Sequence, residues 1–333
     1  MARPSPFAGP PAGPYAGLRP PGRARRILAA LGISVLFILA YYMAQLFAQL
    51  LYAVILGVAA VLRSVTDGIP AGNFRIDIWA ILEQVEAQYT VVAAIYAAIL
   101  AVSYGVFIRS RGRLLPGYVR MDRPRRSHWP AAAAAAFGML GTANLLYEGF
   151  AWLAGRSGTV GEMLSDYEEL VDDAFTTDAG VGWLILGICI LVPIAEELLF
   201  RGIVQGELSA VMSPWAAVLT QAALFSAFHM QPVQSVYVFL PGLVMGLAYM
   251  ASGSILVPIL MHMVFNFFGS GALYQLTGGS DAVDAALYAS QYGFILVGAL
   301  CLAWMFRTRA KPPLTDGDGG AGQDGIEDTE EPA

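Results

Sequence analysis

Residues 208–280 read LSAVMSPWAAVLTQAALFSAFHMQPVQSVYVFLPGLVMGLAYMASGSILVPILMHMVFNFFGSGALYQLTGGS, a run of 73 without a single Asp, Glu, Lys or Arg. One spanning helix needs about 20 predominantly apolar residues. The run is therefore too long for one or two helices. Pro232 and the stretch Ser252-Gly253-Ser254 divide it into three. Working outward, further charge-free runs lie at 27–62, 87–108, 127–147, 179–195 and 285–306. Together they predict an all-α, polytopic membrane helix bundle of eight transmembrane helices. These fall at about 28–52, 88–108, 130–152, 181–203, 212–230, 233–251, 255–271 and 286–306.

Composition agrees. Of the 333 residues, 57% are hydrophobic and 13% charged, with a mean hydropathy of +0.59. Soluble domains carry about a quarter charged residues, so an ordinary soluble, fibrous or disordered protein is excluded. The two cysteines, Cys189 and Cys301, sit in apolar runs and read as small buried hydrophobes. Basic residues cluster between alternate helices, which places 16 of 19 on one side; Arg63, Arg75 and Arg156 are the others. By the positive-inside rule both termini are expected in the cytoplasm.

The chain divides into a disordered Pro/Gly/Arg-rich tail at 1–26, N-terminal helices and loops at 27–178, a core at 179–271, a last helix at 272–310 and a disordered acidic tail at 311–333. The acidic stretch 156–178 is expected to be a loop with a solvated face. No nucleotide-binding glycine loop or nucleic-acid signature is present, and the arginines at 109–126 follow from topology. Eighteen Arg against one Lys points to a GC-rich bacterial source, hence a bacterial inner or plasma membrane.

Ionisable groups inside membrane helices are costly and mark function by default. Three places hold them. Pro193-Ile194-Ala195-Glu196-Glu197-Leu198-Leu199-Phe200-Arg201-Gly202 lies on the fourth helix. Glu197 and Arg201 are i,i+4 and can neutralise each other on one face. Glu196, about 100° around the helix, is left to point elsewhere. Phe225-Ser226-Ala227-Phe228-His229 ends the fifth helix, and His262-Met263-Val264-Phe265-Asn266 lies on the seventh. The third histidine, His128, sits in the Arg-rich loop and needs no special role.

Two imidazoles and a carboxylate suit hydrolysis. Glu196, His229 and His262 can hold Zn2+ with an open position for water. Equally, Glu196 and His229 can share a water as general base, with His262 and Asn266 donating to the oxyanion. There is no His-Glu-x-x-His and no Gly-x-Ser-x-Gly.

The order Glu-Glu-x-x-x-Arg, Phe-x-x-x-His, His-x-x-x-Asn on successive membrane helices resembles the CPBP family, the CAAX prenyl endopeptidase and bacteriocin-processing (Abi-like) intramembrane proteases. The resemblance covers roughly 180–270 and implies a peptidase acting on a membrane-associated peptide or protein. By it, Glu196 activates water, and His229 assists or binds metal. His262 and Asn266 bind metal or stabilise the oxyanion, and Glu197 and Arg201 orient the site. Both a metalloprotease and a metal-free glutamate mechanism are open at this point. A non-catalytic scaffold or self-immunity protein of the same fold is the alternative. A proton-coupled transporter is a third reading, but its repeat symmetry is not found. Oligomeric state is not readable from the sequence.

Straight, full spans pose one geometric problem. Helix four would carry Glu196 roughly 22 Å inward from its start, while helix five would carry His229 outward to its far end. The two meet only if helix four continues past Arg201 or helix five is short.

Overall fold

The computed structural model describes residues 22–67, 75–115, 117–175 and 179–309. The expected tails at 1–26 and 311–333 fall almost wholly outside the described residues. The first helix begins at Arg23, so Arg23, Arg25 and Arg26 ride on its opening turn. The described residues form helices α1 (Arg23–Thr66), α2 (Ile78–Ala87), α3 (Tyr89–Leu114), α4 (His128–Ala154), α5 (Gly158–Phe175), α6 (Val181–Ser209), α7 (Pro214–Phe228), α8 (Pro232–Ser252), α9 (Leu256–Gly269), α10 (Ala272–Leu276) and α11 (Asp281–Arg307). No strand is present among them, only an isolated bridge between Met121 and Ser254. Both cysteines are free, with Cys189 buried.

Each of the eight expected segments contains a helix. Five of these, α1, α3, α6, α8 and α11, are long and apolar enough to cross a membrane. The chain is a multi-pass membrane protein. Helices α7 and α9 are apolar but have only 15 and 14 residues. At 1.5 Å per residue they reach about 21–23 Å, short of a hydrocarbon core about 30 Å thick. The opposite holds for α1. No proline interrupts it, and its 44 residues extend well past the expected 28–52. It is about 66 Å long and exposes Leu36, Met43, Leu50 and Val54 along its outer side.

The acidic stretch expected as a loop is instead helix α5. Leu164, Tyr167 and Val171 recur at helical spacing. They pack against Tyr147, Phe150, Val233 and Tyr237, leaving acidic residues such as Glu162, Asp166 and Glu169 on the other side. Local charge gave the right solvation, but the apolar stripe decides the structure.

Glycines set a close helix contact. On α4 and α11, Gly138, Gly141 and Gly298 let the backbones touch. A Cβ on Gly138 would lie 2.6 Å from the Phe294 carbonyl oxygen, and one on Gly298 would lie 3.0 Å from Ala135 Cα. The Asn144 amide donates to Gln291 Oε1 at 2.5 Å in the same seam. Gly141→Leu should therefore force the two helices apart at a cost of about 1–3 kcal/mol or more. A lower melting temperature in detergent is the expected result. An unchanged one would mean that the seam is not tightly packed.

The segment 117–127 is tied to one end of the bundle. Tyr118 donates to Glu207 at 2.8 Å, and Glu207 also pairs with Arg111 at 3.1 Å. Burial, then the Glu207 carboxylate, pushes the Tyr118 phenol well above its usual range, so it stays a donor. The Ile255 amide donates to the Arg120 carbonyl, and the Arg120 amide donates to Tyr249. Trp215 stacks on Phe306, and His128 packs edge-on against Trp304. These contacts gather the ends of α3, α6 and α11 with the starts of α4 and α7, where the arginines concentrate.

Candidate active site

Helix α6 is not a uniform α-helix. Ile185–Leu191 and Leu198–Val204 are π-helical, flanking an α-helical turn at Val192–Glu197. Pro193 has no N–H to donate five residues back, to the carbonyl of Ile188. The side chain of Asn266 supplies the missing donor, with Nδ2 to Ile188 O at 2.9 Å. The sequence therefore places Pro193 where a neighbouring helix must satisfy α6, and Asn266 on α9 does so.

The turn between the two π segments carries both carboxylates. Glu197 and Arg201 form the expected i,i+4 pair, Oε1 to Nη1 at 2.6 Å, with both side chains 0% exposed. Arg201 donates a second bond, from Nη2 to the Gly242 carbonyl on α8 at 2.8 Å. Its guanidinium lies over the Phe225 ring, 5.0 Å from the centroid. A Cβ at Gly242 would meet Phe225 at 2.8 Å, so glycine lets α8 approach this close.

His262 reaches in from α9 and touches both carboxylates. Its Nδ1 is 2.9 Å from Glu197 Oε1, and its Nε2 is 3.7 Å from Glu196 Oε2. Glu197 thus accepts from Arg201 on one side and His262 on the other. This fixes the imidazole with Nε2 towards Glu196. Glu196 does not point away from the pair, as expected from the 100° offset alone. It faces the same histidine from the other side, because one imidazole has two nitrogens to offer. The Oε1 of Glu196 accepts from Tyr41 of α1 at 3.2 Å.

Two expected members are placed differently. The Asn266 amide is engaged by Ile188 rather than held beside His262. The Nδ1 of His229 lies 2.8 Å from the carbonyl of Phe225 in its own helix. The Phe225 ring packs against both imidazoles, centroids 4.9 Å from His229 and 6.0 Å from His262. Among the described residues no three His, Cys, Asp or Glu side chains are placed to hold one metal ion. The Nδ1 of His262 is held by Glu197 and that of His229 by the Phe225 carbonyl, which leaves the Nε2 of each ring uncommitted, as in histidines that ligate a metal.

The depth problem resolves by both expected routes. Helix α6 continues to Ser209, 13 residues past Glu196, and α7 ends 14 residues after Pro214 with His229 next. Glu196 and His229 lie 13 and 15 residues from the basic ends of their helices, and Tyr41 reaches both Glu196 and Phe228, the neighbour of His229. Glu196 and His229 share a level. An apolar cleft of about 240 Å³ opens between α6 and α9, lined by Ile185, Cys189, Met263 and Phe267 among others.

Residues 178–268 match the family model described as Type II CAAX prenyl endopeptidase Rce1-like. The CPBP resemblance holds over this segment. It contains all six motif residues and the whole of the cluster on α6, α7 and α9. An uncharacterized 24.3 kDa protein of Escherichia coli is 37% identical over 84 residues, 24% of this chain. The chain spans 39% of that curated relative's length. No solved structure matches.

Sequence reasoning missed Tyr41, Tyr42 and the Gly242 carbonyl. For the tyrosines a signal existed: two adjacent phenols within an apolar run, whose hydroxyls need partners away from water. The carbonyl had none, since any residue carries one.

Proposed function

We propose that this protein is an intramembrane endopeptidase that hydrolyses a peptide bond of a membrane-associated substrate with water activated by Glu196. One observation carries the reading: within the segment that matches a peptidase family, two buried carboxylates on one helix converge on the two nitrogens of His262. Glu196 takes the proton of the attacking water as general base. His262, held by Glu197, presents Nε2 beside Glu196 Oε2 and receives or returns that proton as the amine leaves. Arg201 balances the charge of Glu197, so the pair can stay buried without a net charge of its own. His229, at the same depth, is proposed to approach the scissile carbonyl from the α7 side and assist there. Asn266 keeps α6 in register through Ile188 rather than acting on the oxyanion in the free protein.

The apolar cleft between α6 and α9 suits an apolar substrate segment arriving from the bilayer. The basic end of the bundle is proposed to face the cytoplasm of a bacterial cell, with the α4, α7 and α9 segments completing eight spans. Lipid and a peptide substrate are the partners.

The test is cleavage itself. Purified protein in detergent is incubated with peptides from the host's membrane proteome, and new termini are read by mass spectrometry. Cleavage is expected, and dialysis against a strong zinc chelator separates the two mechanisms: activity that survives supports water activated by glutamate alone. Loss of activity on chelation, regained with zinc, would return the metal mechanism. No cleavage of any peptide would sink the peptidase reading.

A further inference from the structure

The contacts of this cluster extend beyond the matched segment. Helix α1, more than a hundred residues upstream, supplies a bond to Glu196. Tyr41 is 3% exposed, and its hydroxyl lies 3.2 Å from Glu196 Oε1. Its ring is held edge-on by Tyr96 of α3 at 5.5 Å and by Phe228 of α7 at 4.8 Å. The next residue, Tyr42, donates to the carbonyl of Phe228, immediately before His229. Its ring also lies against Phe228, at 5.3 Å. Two adjacent phenols thus grip two of the three motif helices.

The two oxygens of Glu196 are not equivalent in this arrangement. Oε1 accepts from Tyr41, while Oε2 faces His262 at a separation too long for a direct hydrogen bond. A carboxylate in an apolar setting can rotate about its terminal torsion, which is a soft one. A fixed donor on one oxygen stops that rotation.

Building on the peptidase reading, we infer that Tyr41 is a positioning residue that anchors Glu196 Oε1 and so reserves Oε2 as the base. Helix α1 is then part of the active site and not only a lipid-facing wall. Tyr42 pins the end of α7, which fixes the level of His229 relative to the same carboxylate.

Tyr41→Phe keeps the ring and removes only the donor. Losing a hydrogen bond to a charged group should lower kcat by about 10- to 100-fold, with KM unchanged and the melting temperature lowered by only a few degrees. Leu39→Ala, on the exposed side of α1, should leave kcat as it is. A second readout does not need turnover. Dicyclohexylcarbodiimide, a membrane-soluble reagent for carboxyl groups in apolar sites, should label Glu196 faster in Tyr41→Phe, read by peptide mass. Unchanged kcat and unchanged labelling would overturn the inference and leave the peptidase reading standing. A joint fall in kcat and substrate affinity with a large drop in melting temperature would overturn it too, making Tyr41 a brace for α1. If the wild type cleaves nothing, the peptidase reading fails, and the labelling rates alone decide whether the phenol anchors Glu196.

Discussion

Glu196→Gln abolishes cleavage while the fold persists: this is the largest effect expected in the molecule. The amide carbonyl still accepts from Tyr41, and the side-chain volume is unchanged. What is lost is the basic oxygen beside His262 Nε2. Removing a positioned general base lowers rates by about 10²- to 10⁴-fold. The measurement is kcat on any cleaved peptide, with thermal unfolding as the control for folding. Retained activity would move the base to another group. Glu197 would be the group to examine next: Arg201 and His262 hold its Oε1 at 2.6 and 2.9 Å, while its Oε2 has no hydrogen-bond partner among the described residues.

The second large effect is on stability. Arg201→Met removes the cation from a pair whose side chains are both 0% exposed. Glu197 then keeps a buried charge with only His262 to face it. Breaking one side of a buried pair costs about 3–5 kcal/mol, because the remaining charge is uncompensated. That is a large share of a total stability of about 5–15 kcal/mol. The Gly242 carbonyl loses its donor as well. A sharply lower melting temperature is expected, with little folded protein recovered. The double variant Glu197→Gln/Arg201→Met should regain much of the loss, since neither member of the pair then carries a charge. An Arg201→Met protein as stable as wild type would mean that water or another cation reaches Glu197. Recovery of stability without activity in the double variant would separate the two roles of this carboxylate: balancing Arg201, and orienting His262.

Hydropathy is a local quantity, and what depended on it was legible. Charge-free runs separated by Pro232 and Gly253 located the helices. Three helices outside the expected spans, α2, α5 and α10, show the limit of that reading. In α5 the acidic residues hid a stripe of three apolar positions that only matters because Tyr147 and Tyr237 stand opposite it. The span expected at 28–52 fell short of α1 for a related reason. A run free of charge sets how far a helix can go, while packing and capping set where it stops, as at Ser213-Pro214.

For the site, the sequence alone determined which residue types lie on which helices, and that Glu197 and Arg201 would meet, because i,i+4 geometry is internal to one helix. The tertiary structure decided the rest. It turned both carboxylates onto one histidine, sent the Asn266 amide to the carbonyl that Pro193 leaves without a donor, and set Glu196 and His229 at one depth. It also brought in Tyr41 from 155 residues away. The physical reason is the range of the interactions. Spacing along a helix fixes neighbours within a turn or two, but a buried donor takes whichever acceptor the packing of other helices puts within about 3 Å.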